Sequence, residues 1–116
     1  MNTRLSLAAF AAACLATPSF GHAFLKHADP GAGATSTAPP RRVVLIFSEK
    51  LEPVFSGVTV TDASGRSVES GPAVTTDSSI VAPLVPLPPG KYRVVWHAVS
   101  VDTHRTEGGY GFTIKP

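Results

Sequence analysis

Proline and glycine break this chain at short intervals: 11 prolines and 10 glycines stand among its 116 residues. Proline lacks the amide hydrogen that a helix interior needs, and glycine is costly to order there. Short strands joined by turns are the architecture that survives such punctuation. Between the breaks the residues suit strands. Residues 43–47 (VVLIF) form a continuous β-branched and apolar run, the pattern of a strand buried in a sandwich. Residues 57–61 (GVTVT) alternate, with Val58 and Val60 sharing a face, and the turn-forming residues 62–65 (DASG) predict a hairpin that returns through residues 66–69. Residues 79–85 read as a further strand, placed at an edge or a bend by Pro83.

The last third of the chain carries the clearest alternation. Tyr92, Val94, Trp96 and Ala98 point one way and Arg93, Val95, His97 and Val99 the other, while Tyr110, Phe112 and Ile114 mark a closing strand within residues 109–115. A Pro-Pro-Gly turn followed by Tyr92 resembles the tyrosine corner of immunoglobulin-like sandwiches, in which the hydroxyl bonds back to upstream backbone. Residues 28–40 (ADPGAGATSTAPP) read as loop. The sum is six to seven short strands in an all-β sandwich, with no internal repeat and no helical periodicity.

The first 21 residues read as a secretory signal peptide. Residues 1–4 are a basic start, residues 5–16 an Ala/Leu-rich apolar core, and Thr17, Pro18, Ser19, Phe20 and Gly21 end it. The apolar core is too short to anchor in a bilayer. Ser19 and Gly21 supply small residues for a cut before His22; cuts after Ala16 or Ala23 satisfy the same loose rule. Cys14 raises lipid attachment as another fate, but the alanines before it lack the leucine usual there. A cut before His22 leaves residues 22–116 as an exported mature domain with no integral membrane segment. The leader also takes away the single cysteine, Cys14, and the single methionine, Met1. A metal bound by residues 22–116 is then held by nitrogen and oxygen, which disfavours soft Cu(I). The formal net charge of +2 is small and dispersed, unlike the clustered Lys and Arg of a nucleic-acid footprint.

Four histidines are available: His22, His27, His97 and His104. The informative grouping is Asp102 with His104, two residues apart, which in extended backbone face the same side. Asp-x-His is common, and an aspartate between strands also serves as a turn former. The pair gains meaning if His22 is the mature N-terminus, since its amine and ring can close a chelate on one metal ion. His104 then makes three nitrogen donors and Asp102 adds an oxygen. That set suits a tetragonal Cu(II) ion; Zn(II) accepts the same donors but prefers a tetrahedron. The alternative for His22 is a frayed, solvent-facing terminus. His97 reads as a structural or surface histidine on the face opposite Trp96, and His27 as an exposed position or auxiliary ligand.

These residues carry a resemblance. His22-Ala23-Phe24-Leu25, then Asp29-Pro30-Gly31-Ala32-Gly33, Leu45-Ile46-Phe47-Ser48-Glu49, residues 89–96 (PGKYRVVW), residues 98–104 (AVSVDTH) and Gly111-Phe112-Thr113-Ile114 together resemble the CopC/PcoC family of periplasmic copper-resistance proteins. The resemblance spans nearly all of residues 22–116. It implies a seven-stranded, cupredoxin-like Greek-key sandwich and one Cu(II) per chain, bound by His22 (amine and imidazole), His104 and Asp102. It supports the cut before His22 and implies a copper carrier in resistance or homeostasis, not an enzyme. It also implies delivery to an inner-membrane transporter of the CopD type, and Glu49 and Thr103 are outer-shell candidates by motif. Some family members carry a Met-rich Cu(I) site in a central loop; residues 60–76 here contain no methionine, so only the Cu(II) site is expected. Two other classes compete. One is a copper-dependent oxidative enzyme with an N-terminal histidine brace, whose chemistry needs a coordination position that Asp102 would fill. The other is a metal-free adhesion or assembly sandwich.

Overall fold

The computed structural model describes residues 24–116. Eight strands follow in order: β1 (Leu25–Asp29), β2 (Thr35–Ser36), β3 (Arg42–Phe47), β4 (Gly57–Asp62), β5 (Val74–Thr76), β6 (Ser79–Pro83), β7 (Gly90–Val99) and β8 (Arg105–Ile114). A single 3-10 turn at Pro53–Phe55 is the helical element among the described residues. The strands form two four-stranded sheets, ordered β1-β3-β6-β5 and β2-β8-β7-β4. Only β5–β6 and β7–β8 are both consecutive in the chain and paired. Elsewhere the chain crosses between sheets, giving an all-β Greek-key sandwich.

The alternation seen in the sequence is what closes it. Val43, Leu45 and Phe47 of β3 with Ile80 and Ala82 of β6 face Val58 and Val60 of β4, the apolar set of β7, and Tyr110, Phe112 and Ile114 of β8. The β3 run has alternate residues only partly covered, so its apolar continuity reflects one buried and one half-buried face. Phe47 meets Trp96 edge-on across the core, with ring centroids 5.1 Å apart. Tyr92 stacks on Phe112, and its hydroxyl donates to the carbonyl of Pro88, the tyrosine corner expected from the turn before it. Tyr110 is anchored likewise: its hydroxyl donates to the Pro30 carbonyl at 2.8 Å, just after the cis peptide at Asp29–Pro30.

One expectation holds in part and another is corrected. Asp62 Oδ1 accepts from the backbone N–H groups of Ser64 (2.9 Å) and Arg66 (3.0 Å), and this tight turn reverses the chain. Residues 66–68 return antiparallel beside β4, with Asp62 N–H donating to the Arg66 carbonyl at 2.9 Å and Val68 N–H to the Val60 carbonyl at 3.0 Å, but the pairing stops short of a full strand. Ser67 bridges to Thr61 of one sheet while Glu69 bridges to Leu84 beside the other. The segment read as loop, residues 28–40, contributes the end of β1 and the two-residue β2, which pairs parallel with β8. So short a strand leaves no periodicity for sequence reasoning to detect.

Candidate metal centre

The β7–β8 hairpin delivers Asp102 and His104. Its arms run in register from Gly90↔Ile114 to Val99↔Arg105, and residues 100–104 close it. Two backbone bonds fix this loop: Ser100 N–H donates to the His104 carbonyl at 2.9 Å, and Thr103 N–H to the Ser100 carbonyl at 2.8 Å. Thr103 adopts φ 72°, and its hydroxyl donates to the carbonyl of Asp102. The backbone here is therefore a tight turn and not extended chain. Asp102 and His104 do face one another, but across the turn and not as neighbours on one side of a strand.

Their side chains meet directly. His104 Nδ1 lies 3.2 Å from Asp102 Oδ2, and each side chain is 47% exposed. The other carboxylate oxygen, Oδ1, accepts from the hydroxyl of Ser100, a fully buried residue. That hydroxyl, ahead of the opposing desolvation and the contacts from His104, holds the Asp102 carboxyl below the usual carboxylate range. The outcome is an ionised, hydrogen-bonded carboxylate beside an imidazole, open to solvent at one end of the sandwich.

The same end receives the start of the described chain. Phe24 N–H donates to Ser48 Oγ at 2.9 Å, and Ser48 N–H donates to the Phe24 carbonyl at 2.9 Å. Just beyond Ser48, Val101 N–H donates to the Lys50 carbonyl at 3.0 Å, and Glu52 N–H to the Val99 carbonyl at 2.8 Å. Leu51, almost fully buried, bridges to Ser100 between them. Residues 48–52 thus tie the approach to β1 to the base of the Asp102–His104 loop. Glu49 lies partly covered within that segment.

Of the sequence-predicted ligands, Asp102 and His104 are brought together, and His22 lies outside the described residues. No group of three or more His, Cys, Asp or Glu side chains suited to one metal ion occurs among the described residues. His97 is exposed on the outer face of β7, as expected, and lies against Gly57 of β4, where an added Cβ would come 3.0 Å from the ring. His27 is exposed on β1, opposite Ile46. Sequence reasoning missed Ser100 and Ser48. The spacing Ser100-x-Asp102-x-His104 is the one signal that pointed to Ser100; nothing local distinguishes Ser48.

Residues 25–115 match the CopC domain family model. The chain belongs to the CopC family. Among its relatives, Protein YobA of Escherichia coli strain K12 is 42% identical over 106 residues, covering 87% of this chain and 86% of that one. Copper resistance protein C of Escherichia coli is 39% identical over 111 residues, covering 87% of each. The crystal structure of CopC from Methylosinus trichosporium OB3b superposes with a TM-score of 0.75 at 32% identity, covering 82% of this chain and 95% of that one. The CopC match takes in all eight strands and the Asp102–His104 loop, so the site just described is part of the family's domain and not an appendage to it.

Proposed function

We propose that this CopC-domain chain is a periplasmic copper-binding protein, not an enzyme, that carries one Cu(II) for copper resistance or homeostasis. Its ligands are the amine and imidazole of His22, exposed by signal-peptide cleavage, the imidazole of His104 and the carboxylate of Asp102. The observation that carries the reading is the Asp102–His104 pair, half-exposed and hydrogen-bonded, at the end of the sandwich where Phe24 begins the described chain. His22 stands two positions before Phe24, a reach of at most about 7 Å for extended chain. Each carboxylate oxygen has two acceptor sites, so Asp102 can turn a lone pair to a metal while Ser100 still holds Oδ1, and the contact between Oδ2 and His104 Nδ1 gives way when both side chains bind one ion. Residues 22–116 contain neither cysteine nor methionine, which favours Cu(II) over Cu(I). The names of the relatives, copper resistance proteins among them, support copper as the cargo.

Binding releases protons from the amine and imidazoles, and ligand exchange passes the ion onward. An inner-membrane transporter of the CopD type is the recipient the family resemblance suggests. The test uses the terminus. The processed protein is compared with one bearing a single extra residue before His22, which removes the amine–imidazole chelate and leaves residues 24–116 untouched. The extended protein is expected to lose more affinity for Cu(II) than the ~10–100-fold that loss of an outer-shell partner costs. Equal affinity and an unchanged paramagnetic resonance spectrum would remove His22 from the site.

A further inference from the structure

We propose that Ser48 is a positioning residue for the copper site: its hydroxyl holds the Phe24 amide, and so keeps the short arm that leads back to His22 beside the Asp102–His104 loop. This rests on the reading of His22 as a copper ligand.

Residues 48–52 leave β3 and cross to the other sheet. Lys50 offers its carbonyl to Val101 N–H at 3.0 Å, Glu52 N–H donates to the Val99 carbonyl at 2.8 Å, and Leu51 N–H donates to the Asp77 carbonyl at 2.8 Å. Ser48 stands where that crossing starts, opposite the residue that leads into β1. In a hydrogen-bonded antiparallel pair each amide donates to the other residue's carbonyl. At Phe24 and Ser48 one bond is of that kind, Ser48 N–H to the Phe24 carbonyl at 2.9 Å. The reciprocal bond is not: Phe24 N–H donates to the Ser48 hydroxyl oxygen, also at 2.9 Å. The side chain stands in for the carbonyl of a backbone that is already departing for the other sheet. The bond lies at an exposed position, where water would serve the Phe24 amide as well, so burial does not demand it.

What the bond does is fix distances. Phe24 is tied to Ser48, and Val101, the neighbour of Asp102, is tied to Lys50 just two positions further on. One short stretch of chain therefore holds both the arm that leads to His22 and the loop that carries Asp102 and His104. A register shift between Leu25 and His27 bends β1 directly after that anchor. Without the hydroxyl, the last held point of the arm retreats from the Phe24 amide to the Phe24 carbonyl, one residue of chain. The free reach grows from about 7 Å to about 10 Å, and the volume open to the terminal amine and ring grows about three-fold. Their effective concentration at the loop falls in proportion.

The test places Ser48→Ala and Ser48→Thr in the processed protein, and Ser48→Ala in the protein with one extra residue before His22. Cu(II) competition titration, paramagnetic resonance, and hydrogen exchange at the Phe24 amide of the metal-free chains read the outcome. Ser48→Ala is expected to weaken Cu(II) about three- to ten-fold and alter the resonance spectrum, and Ser48→Thr, which keeps a hydroxyl, to restore both. In the extended protein Ser48→Ala should add no further loss, since the chelate it positions is already gone. The Phe24 amide should exchange about two- to ten-fold faster in Ser48→Ala than in the wild type. An equal loss of affinity in both backgrounds makes Ser48 a general support of the fold and overturns the proposal, as does an unchanged affinity in the processed variant. So does an unprotected Phe24 amide in the wild type, a result that needs no variant to fold. If the extension alone leaves Cu(II) binding unchanged, the functional reading of His22 falls, while exchange at Phe24 still decides whether Ser48 holds the arm.

Discussion

Gly108 sits opposite Trp96 on the β7–β8 ladder, and a Cβ built there would lie 2.7 Å from Trp96 Cζ2 and 3.1 Å from Cε2. The indole cannot retreat freely, because Phe47 meets it edge-on with centroids 5.1 Å apart. Gly108→Ala is therefore an overpacking substitution at a dense site, which costs about 1–3 kcal/mol. Against this, alanine restricts the unfolded chain and returns about 0.4–1 kcal/mol. The net expectation is a loss centred on about 1.3 kcal/mol, or a fall in Tm of roughly 5–10 °C for a domain of this size. Gly71 makes a matched control, since its Cβ would meet only Pro83 Cγ at 3.9 Å. There the unfolded-state effect stands alone, and Gly71→Ala should raise Tm by a few degrees, about what 0.4–1 kcal/mol supplies. Thermal unfolding followed by the emission of Trp96, the single tryptophan, reads both stability and the displaced ring. A Gly108→Ala protein that melts at or above the wild type, with unshifted emission, would refute the claim that the glycine exists to seat the indole.

Two more outcomes follow from the core. Phe47→Ala removes a ring that is 2% exposed and should cost about 3–5 kcal/mol, seen as a lower urea midpoint at unchanged slope; a loss under about 1 kcal/mol would mean the cavity collapses. Burial, with the Asp29 charge nearby, pushes the Tyr110 phenol up to about 12, against an unfolded value of about 10. A raised acid holds its proton better when folded, so this stabilisation is complete below pH ~10 and is lost as pH rises from ~10 to about 12. Phenolate absorbance of wild type and Tyr110→Phe should differ by a step near the upper limit, and a step at the ordinary tyrosine position would contradict the buried phenol.

Sequence alone disclosed the parts of this fold that repeat a period. The alternation from Tyr92 to Ala98 became the buried face of β7, and Pro-Pro-Gly before Tyr92 became the corner. It failed where long-range pairing decides. Nothing within residues 66–69 says that Ser67 pairs with one sheet and Glu69 beside the other, and β2 is defined wholly by its partner β8. The candidate site was legible as residue types, Asp102 and His104, but the stated reason was incomplete. Extended geometry was expected, whereas a turn with Thr103 at positive φ brings the two together, and the buried hydroxyl beneath them belongs to a residue that binary patterning treats as a small core position.

The rims of the two sheets have a consequence for company. β2 spans two residues and β5 three, and the free side of β4 is partly occupied where Val68 N–H donates to Val60 and Ser67 bridges to Thr61. Few unsatisfied main-chain groups are left in a row for a foreign strand to zip onto. Rims this short give a foreign strand little to extend, and among the described residues the five of β1 are the longest edge on which no further strand pairing is seen.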